Sequence, residues 1–443
     1  MSDHDAIFAL SSGALPSGVA IVRASGDSIR FGLETLLGSL PEPRNASLRL
    51  IKRGSGEVID HGLVLFFPGP ASFTGEDVVE LHVHGGSAVV AAVLGALGGL
   101  DGFRPAEPGE FTRRAFINRR LDLTQAEGLA DLVAAETEAQ RRLALKQAGG
   151  ALRALYEEWR SRLVRSRALI EAELDFPDEE DVPEAVGGDV WDGLATLAGE
   201  IHGHLDDDGR GERLRQGAEI VILGPPNAGK SSLINVLAKR DVAIVTAEPG
   251  TTRDLIEVRL DLGGFPATLV DTAGLREAAG TVEAEGIRRA EARARTADLV
   301  ILLSDVSGSR STPLEDLDAP VLRIGSKIDL IDSDEERSRY EADFDAVIST
   351  ITEDGVDALL TQIEGFLAEK FSFGESPLIT RARHRRALES CRASILAAIS
   401  ISGGNELKAE ELRRATDALG RITGRVDVED LLDVVFGEFC IGK

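Results

Sequence analysis

The stretch that decides the fold is "EIVILGPPNAGKSSLIN", residues 219–235. An apolar run that predicts a buried strand leads into a loop of the form GxxxxGKS, and a predicted helix follows at once. Glycines in such a loop let backbone N–H groups converge on phosphate oxygens, Lys230 adds a positive charge, and the Ser231 hydroxyl suits Mg²⁺. Because strand, spacing, lysine and helix agree, a P-loop is a better interpretation than an ordinary glycine-rich turn.

Three further motifs follow the P-loop. In "TLVDTAG", residues 268–274, a predicted strand is followed by the DxxG motif of Asp271 and Gly274. This motif reaches Mg²⁺ through water and senses a γ-phosphate. "GTTRD", between the P-loop and DxxG, supplies Thr252 as a second candidate Mg²⁺ ligand. In "SKID", residues 326–329, the Asp329 carboxylate can accept hydrogen bonds from guanine N1 and N2, which adenine cannot offer. The four motifs, in this order, indicate a GTPase.

The base-recognition motifs depart from the usual pattern at two places. Ser326 stands where GTPases usually carry Asn, and a serine lacks the amide that bridges the base and the neighbouring loop. Losing it costs roughly 1 kcal/mol per missing hydrogen bond, which predicts weak but selective GTP binding. The later base-supporting loop, commonly Ser-Ala-Lys or Ser-Ala-Arg, is "ISTIT" here, so Ser349 and Thr350 are assigned by position only.

The residue that orients the attacking water is not obvious from the sequence. Ras-type enzymes place Gln directly after DxxG, whereas this chain has Leu275. The following segment offers Glu277, Glu283 and Glu285, any of which could orient water, and for each a solvated loop position is the alternative. The residues alone leave this choice open.

Length and composition predict a multidomain globular protein. The chain has 443 residues with 43% hydrophobic content, enough for two to four domains, and a net charge of −26 that argues against indiscriminate nucleic-acid binding. With only Cys391 and Cys440, no disulfide framework is expected, which is typical of a reducing cytoplasm. The N-terminus opens acidic and the longest apolar run spans residues 88–100, so we expect neither export nor a membrane span.

The pattern of apolar residues, glycines and prolines along the chain predicts four segments. Residues 1–118 mix strand-like runs with Gly/Pro turns, as in an α+β domain, and residues 119–216 form long amphipathic helices in which Leu152, Leu155, Trp159 and Leu163 share one face. Residues 217–374 alternate strand and helix, and residues 375–443 return to helix. A helical region interrupted by an α/β unit predicts the insertion of one domain into another.

These motifs carry a family resemblance. With "GPPNAGKSSLIN", "GTTRD", "DTAGLRE" and the terminal "FCIGK" on one chain, the sequence closely resembles the bacterial and organellar tRNA-modification GTPases of the MnmE or TrmE family. The similarity covers the full length, including "FTGEDVVELHVHGG" (73–86), "PGEFTRRAFINRRLDLTQAEGLADL" (108–132) and "DFPDEED" (175–181). It implies a multidomain α/β plus α fold: an N-terminal α+β folate-binding and dimerising domain, a discontinuous helical domain, and an inserted Ras-like G domain.

The resemblance also implies a function. The family works as a homodimer with the flavoprotein MnmG (GidA) to install an aminomethyl or carboxymethylaminomethyl group at C5 of the wobble uridine of tRNA. A tetrahydrofolate derivative, 5-formyl or 5,10-methylene, supplies the one-carbon unit, while FAD and NADH act through the partner. A cytoplasmic location without membrane attachment is implied.

Within the G domain, the resemblance implies that K⁺ bound beside the phosphates stimulates GTP hydrolysis. Its charge takes the place of an arginine finger, which raises the hydrolysis rate by a factor of about 10³ to 10⁵. The residues implied for K⁺ are Asn227, Thr246, Glu248 and Thr251. Glu283 matches the water-positioning glutamate, and Arg276 is the second candidate catalytic residue. The full set expected to bind GTP is Asn227, Ala228, Gly229, Lys230, Ser231, Ser232, Thr246, Thr251, Thr252, Asp271, Thr272, Ala273, Gly274, Ser326, Lys327 and Asp329.

In the first domain, the resemblance places folate contacts on Arg23, Glu80, Arg120 and the terminal Lys443, with Cys440 close to the one-carbon site. Position 120 is more often Lys in the family, and Arg keeps the charge while changing its geometry. A carboxylate can accept from pterin N–H groups, and cations can hold the glutamate tail of the folate.

Three rival interpretations concern single sites. Glu80, His82 and His84 alternate along a strand and resemble a metal-binding set, although histidines on a half-buried strand are commonly structural. The terminal "CIGK" resembles a prenylation signal, but Gly442 and Lys443 make a lipid anchor improbable, and no CxxC pair supports redox chemistry. Two basic clusters could contact tRNA or the partner protein, and a solvent-exposed helix face is the alternative for each. The first cluster is Arg113, Arg114, Arg119 and Arg120, and the second is Arg160, Arg162, Arg165 and Arg167.

Two other functions are compatible with a GTPase of this composition. A regulatory GTPase of ribosome assembly would need an RNA-binding module, and no KH-type GXXG setting is evident. A membrane-associated signalling switch would need the lipid anchor at the terminal cysteine. Folate binding would separate both from the tRNA-modification function.

We predict that GTP hydrolysis is markedly faster in KCl than in NaCl at matched ionic strength, because Asn227 and the loop from Thr246 to Thr251 match a K⁺ site. Steady-state phosphate release in the two salts is the measurement. Equal rates would contradict the K⁺ assignment.

Overall fold

The protein is described by a computed structural model. The residues described are 5–27, 29–175, 188–240, 242–244, 257–271, 292–306, 317, 319–371, 377–426, 429–437, 439 and 442.

The strands are β1 (Ala6–Leu10), β2 (Ser17–Ser25), β3 (Ser47–Lys52), β4 (Val58–Phe67), β5 (Val78–Gly85), β6 (Phe103–Pro105), β7 (Ala218–Leu223), β8 (Glu257–Leu262), β9 (Phe265–Asp271), β10 (Leu299–Asp305), β11 (Val321–Ser326) and β12 (Ala346–Ile348). The helices are α1 (Ile29–Leu37), α2 (Ser87–Gly98), α3 (Glu110–Ile117), α4 (Leu123–Ala134), α5 (Glu138–Ala148), α6 (Ala151–Asp175), α7 (Gly188–Leu205), α8 (Arg210–Gln216), α9 (Lys230–Ala238), α10 (Asp334–Asp343), α11 (Val356–Lys370), α12 (Ala382–Ser400), α13 (Asn405–Thr423) and α14 (Glu429–Gly437). In the described part of the chain, no helix combines the length and the apolar run needed to cross a bilayer.

The chain divides into two compact units. The first comprises residues 1–130, 147–195 and 390–443, and the second comprises residues 131–146 and 196–389. The mixture of α/β and helical parts confirms the predicted fold class.

The first unit contains a sheet in the order β3-β4-β5-β2-β1-β6, antiparallel except for the β1–β6 pair. Side chains alternate between its two faces, as the period of two in a strand requires. Ala20, Val22 and Ala24 of β2 are buried in a core shared with α1 and α2. The alternate residue Arg23 therefore lies on the opposite face, directly across from Glu80 of β5.

The helical part of the first unit is built on α6, which packs along α13. Leu152, Tyr156, Trp159 and Leu163 are buried on one face of α6 at steps of three and four residues. The expected helical character is confirmed, but the stretch from Leu121 to Asp175, predicted as one long helix, forms the three helices α4, α5 and α6. On the buried face of α6, the fully buried side chain is Tyr156, whereas Leu155, which was expected on this face, is only partly buried.

The second unit contains a sheet in the order β12-β11-β10-β7-β9-β8. Every pair is parallel except β8–β9. Strands such as β7 and β10 consist mainly of buried apolar residues because both faces of a parallel sheet are covered. This is a doubly wound α/β unit, and its central strand β7 leads into the P-loop.

Helix α5 contributes side chains to the core of the second unit. Ala139 and Leu143 are buried in the same hydrophobic cluster as the strands of the sheet. The Ala139 N–H donates to the Gly264 carbonyl at 3.0 Å, and the Gln140 amide donates to the Arg215 carbonyl at 3.0 Å. The beginning of α5 is thus part of the structural support of the nucleotide-binding sheet.

We predict that Leu143→Ala lowers the free energy of unfolding of the second unit by about 2 to 4 kcal/mol, because a buried leucine leaves a cavity behind. Leu145→Ala, two residues along the same helix at a side chain that is 52% exposed, is the matched control and should change stability by less than about 0.5 kcal/mol. Chemical denaturation of both variants tests this. Similar effects of the two substitutions would contradict the packing of α5.

Candidate nucleotide-binding site

The P-loop joins β7 to α9 and begins at a backbone position where a side chain would clash with a neighbouring strand. Gly224 has φ +151°, and a Cβ atom there would lie 2.3 Å from the Leu303 carbonyl oxygen. Asn227 and Gly229 take positive φ values of 63° and 94° before α9 begins at Lys230. The first glycine is therefore required by the close approach of β10, and the loop leads into the start of α9, where backbone N–H groups can bind an anion.

The Lys230 side chain lies inside this loop. It is buried, and its Nζ donates to the carbonyl oxygens of Gly224 and Pro225, both at 3.0 Å. A buried ammonium at the N-terminus of a helix makes a strong anion site, because the helix dipole and the lysine charge act in the same direction. The P-loop prediction is supported in its local geometry.

A cavity of about 560 Å³ extends from the P-loop to the SKID segment, a size suited to a nucleotide. It is lined by Pro226, Asn227, Ala228, Gly229, Lys230, Ser231, Ser232, Ser326, Lys327, Asp329, Leu330, Thr350 and Ile351. Residues predicted separately for phosphate and for guanine therefore line one cavity.

At the base end of this cavity, Oδ1 of Asp329 is buried without a hydrogen-bond partner in the described part of the structure. A buried carboxylate oxygen left unpaired costs free energy, so a ligand donor is the expected complement. The N1 and N2 donors of guanine meet this requirement, whereas adenine presents no such pair.

The neighbouring Lys327 is held in a backbone conformation that is uncommon for a side chain. Its φ is 66°, in the left-handed region. The Lys327 Nζ lies 2.6 Å from Oδ2 of Asp305, the last residue of β10. Asp305 thus orients the lysine beside the cavity, a role that sequence reasoning missed because the aspartate lies in a different strand.

Ser326 partly corrects the sequence-based expectation. The side chain is buried, and its hydroxyl lies 2.7 Å from the Ala228 carbonyl of the P-loop and 3.1 Å from the Ser304 carbonyl. The expected loss of the bridge to the neighbouring loop is therefore wrong, because the hydroxyl donates there in place of an amide. What serine lacks is a second polar group that could reach the base.

The loop "ISTIT" also gains a structural role. Ser349 is fully buried, and its hydroxyl accepts hydrogen bonds from the N–H groups of Ile351 and Thr352, both at 3.1 Å. Thr350 lines the cavity, as its position in the sequence predicted. Ser349 shapes the loop from within.

Several predicted residues lie outside the described part of the chain: Thr246, Glu248, Thr251, Thr252, Thr272, Ala273, Gly274, Arg276, Glu277, Glu283, Glu285, Cys440 and Lys443. Asp271 ends β9 and pairs through its backbone with Ile222 of β7. The assignments of Mg²⁺, K⁺ and catalytic roles on these residues remain predictions.

The first unit brings together two of the four predicted folate residues. Arg23 Nη2 lies 2.9 Å from Glu80 Oε1, with both side chains about one-fifth exposed. The Arg23 guanidinium also lies 5.7 Å from the ring centres of Phe73 and Phe111. Arg120 is exposed and lies beside Gly75, and the described contacts do not join it to the Arg23–Glu80 pair. The Arg23–Glu80 ion pair therefore lies next to two phenyl rings.

The two histidines near Glu80 engage different carboxylates. His82 Nε2 lies 3.4 Å from Glu80 Oε2, while His84 Nδ1 lies 2.8 Å from Asp60 Oδ1 at an exposed position. Among the residues that the structure describes, no group of three or more His, Cys, Asp or Glu side chains could hold a metal ion. The arrangement favours the structural interpretation of these histidines.

One member of the predicted basic clusters, Arg114, is only partly exposed and belongs to an ion-pair network. Arg114 contacts Glu76 and Glu110, each at 3.1 Å, and Glu110 also contacts Arg104 at 2.5 Å. Burial opposes ionisation of Glu110, but hydrogen bonds from Arg104 and the Glu107 N–H outweigh it, so the pKa of Glu110 lies below its usual value. Arg114 is therefore paired with two carboxylates, which favours a structural role at α3 over the predicted contact with tRNA.

The C-terminal tail contacts the N-terminal sheet. The Ser11 hydroxyl donates to the Gly442 carbonyl at 2.8 Å. Gly442 has φ +98°, and a Cβ atom there would lie 2.1 Å from the Leu10 carbonyl oxygen. This close approach needs glycine, which explains a feature of "FCIGK" that neither prenylation nor redox chemistry accounts for. Burial raises the pKa of the other cysteine thiol, Cys391, to about 12, so it is unreactive near neutral pH.

A doubly wound α/β unit with a P-loop and a guanine-type carboxylate defines the class: a P-loop GTPase. Comparison with known proteins gives the family. The TrmE N-terminus family model matches residues 6–120, and the MnmE helical domain model matches residues 123–440. The chain belongs to the MnmE (TrmE) family of tRNA modification GTPases, which confirms the resemblance, and it is a GTP hydrolase.

Individual relatives agree along the whole chain. The tRNA modification GTPase MnmE of Brucella anthropi is 54% identical, covering 99% of this chain and 98% of its own. The protein of the same name from Mesorhizobium japonicum is 54% identical and covers 100% of both chains. Among solved structures, the G domain of the T. maritima FeoB iron transporter covers 35% of this chain and 99% of its own at 23% identity, with a TM-score of 0.24, too slight a likeness to add to the argument.

We predict that Ser326→Ala weakens GTP and GDP binding by about 5-fold to 15-fold, because removing a buried hydrogen bond between the two loops costs roughly 1 to 1.5 kcal/mol. Selectivity for guanine over xanthine should stay unchanged, since Asp329 is intact. Ser326→Thr keeps the hydroxyl and is the control. Undiminished affinity in the alanine variant, measured by nucleotide titration, would contradict the bridging role.

Proposed function

We propose that this protein is a K⁺-stimulated GTPase that, together with the flavoprotein MnmG, modifies C5 of the wobble uridine of tRNA with a folate-derived one-carbon unit. The product is an aminomethyl or carboxymethylaminomethyl group. Family membership supports this function, since relatives that match the full chain are named tRNA modification GTPases. The observation that carries the folate part is the docking of Gly442 on the N-terminal sheet.

The nucleotide part of the function uses the cavity between the P-loop and SKID. Lys230 and the N–H groups at the start of α9 bind the β- and γ-phosphates, and Asp329 accepts from guanine. Ser231 and Thr252 are the proposed Mg²⁺ ligands, and Asp271 is proposed to reach the ion through water. Bound Mg²⁺ would neutralise charge that develops on the phosphates.

K⁺ is proposed to bind next to the phosphates at Asn227, Thr246, Glu248 and Thr251. Asn227 lines the cavity and has a positive φ, so it is close to where phosphates would bind. Glu283 is proposed to orient water and Arg276 to assist. Leu275 cannot orient water, which is why a side chain further along the segment is needed.

The folate part uses Arg23, Glu80, Arg120 and Lys443. The Glu80 carboxylate can accept from pterin N–H donors, and the phenyl rings of Phe73 and Phe111 supply an apolar surface beneath Arg23. Because the pair is only about one-fifth exposed, a ligand that displaces Arg23 from Glu80 must itself donate hydrogen bonds to the carboxylate.

The terminal residues explain how Cys440 and Lys443 could act in the same site. Ser11 and Leu10 hold Gly442, which lies between these two residues in sequence, at the end of β1. Cys440 and Lys443 lie outside the described residues, and we propose that a tail docked through Gly442 would carry their thiol and ammonium groups to the N-terminal domain. We infer a homodimer in the cytoplasm that acts on tRNA with MnmG, and domain boundaries at residues 118, 216 and 374.

The proposed function is tested by mass analysis of wobble uridine in cells that lack the protein. We expect the modification to disappear and to return when the full chain is supplied. A chain without residues 440–443 should fail to restore it while keeping its K⁺-stimulated GTPase activity, because the tail lies away from the P-loop in sequence and acts on folate.

Gly442→Ala is the finer variant, since an added Cβ would meet the Leu10 carbonyl and weaken docking without shortening the chain. Cys440→Ser separates the thiol from the shape of the tail. Intact modification in the deletion strain would refute the role of the tail. Collapse of the GTPase would instead make the tail a general folding element.

A further inference from the structure

Near the end of α4, the carboxylate of Asp131 binds two arginines. Nε of Arg215 and Nη2 of Arg381 both donate to its Oδ1, each at 2.9 Å. The three side chains are between 10% and 28% exposed, so water competes only weakly for these charge-assisted bonds. Arg215 lies in α8, which leads into β7 and the P-loop, and Arg381 directly precedes α12, which follows the nucleotide-binding sheet. One carboxylate therefore binds both connections by which the chain enters and leaves this sheet.

Helix α4 has residues in both compact units. Residues 123–130 belong to the first unit, and residues 131–134 belong to the second. In the first unit, Leu123 is fully buried in a hydrophobic cluster with Phe436 and Phe439. Phe439 is the first residue of the terminal "FCIGK". The same helix thus contacts the base of the C-terminal tail near its beginning and the connections of the nucleotide-binding sheet near its end.

A second cavity, of about 400 Å³, is lined by Asp131 and Arg215 within the second unit. Its lining also includes Ile244 and Arg259, which lie on either side of the GTTRD motif in sequence, and Thr268 of β9, the strand that ends at the DxxG motif. Packed side chains therefore connect the chain segments that flank both motifs with the surroundings of Arg215. Because the space between them is not filled, these strands can shift without displacing other side chains.

We propose that Asp131 is the positioning residue through which the nucleotide-binding sheet acts on α4, so that the nucleotide state changes the position of the C-terminal tail. A shift of α8 or of the segment before α12 displaces Asp131, because the two ion pairs hold these groups together. The helix passes the displacement to Leu123 as a rigid element. This role rests on the proposed function, since it assigns to Asp131 the coupling of GTP hydrolysis to tRNA modification.

Thiol labelling of the full chain tests this role. Burial raises the pKa of Cys391 to about 12, so a thiol reagent reports on Cys440, and Cys440→Ser gives the background. We expect a GTP analogue with a β,γ-imido bridge to change the labelling rate of Cys440 by about 5-fold or more in the wild type, the usual size of a coupling between sites. Asp131→Asn should bind the analogue within about 3-fold of the wild-type affinity and show less than about a 2-fold change in labelling.

Asp207→Asn is the matched control. Asp207 Oδ1 lies 2.6 Å from Nη2 of Arg385, and this buried pair joins the segment before α8 to α12 without involving α4. The variant should lose stability as Asp131→Asn does, measured by chemical denaturation, while its nucleotide-dependent labelling stays at the wild-type level. Arg381→Lys keeps the charge but not the planar fork, so it should reduce the change in labelling by a smaller amount.

Modification of wobble uridine gives a second measurement. In cells that lack the protein, Asp131→Asn should restore at most about one tenth of the modification, while the purified variant keeps its K⁺-stimulated GTPase within about 3-fold of the wild type. Asp207→Asn should restore the modification fully.

Three results would overturn the role of Asp131. They are labelling that does not respond to the nucleotide in the wild type, a wild-type response in Asp131→Asn, and equal loss of the response in Asp207→Asn. If Asp131→Asn and Arg381→Lys both fail to fold, the ion pairs are a requirement of folding and the role is refuted as well. If the wild-type chain restores no modification, the proposed function fails, whereas the labelling result still decides whether Asp131 links the nucleotide to the tail.

Discussion

The parallel pairing of three strands is the constraint on which the nucleotide site depends. β10 pairs with β7 on one side and with β11 on the other, in registers that set Leu302 beside Leu223 and Asp305 beside Ser326. Parallel strands end at the same edge of a sheet, so the P-loop and the SKID segment meet although about 100 residues separate them. The Gly224 approach to β10, the Lys327–Asp305 pair and the single cavity all follow from this edge.

The site divides its tasks among residues with different chemistry. Lys230 and the helix N-terminus place positive potential at the P-loop end of the cavity, and Asp329 places an unpaired carboxylate oxygen at the other end. Ser326 joins the two loops by a single buried hydrogen bond, so that a ligand spanning both binds to parts already held in position. A serine can replace the usual asparagine in this bridge because the carbonyl of Ala228 lies within reach of its short side chain.

The N-terminal domain depends on paired charges rather than on free ones. Arg104, Arg114, Glu76 and Glu110 form a partly buried network in which each charge has an opposite neighbour, as burial requires. Arg23 and Glu80 form a similar pair over two aromatic rings. These pairs stabilise α3 and one face of the sheet, and Gly442 docks at the end of β1 through Ser11.

The sequence by itself determined the class of the protein, the strand–loop–helix order of the P-loop and the helical character of the region that includes α6, because each depends on local spacing and residue type. It did not determine the partners of Ser326 and Lys327, the ion pairs of Arg114, or the choice of Tyr156 over Leu155 on the inner face of α6. Those depend on which strands and helices pack together, and contacts between residues far apart in the chain leave no periodic signal. Only the tertiary structure decided that Leu330 and Ile351 line one cavity with Asp329, since their placement results from the register of β11 and β12 and from the turn closed by Ser349.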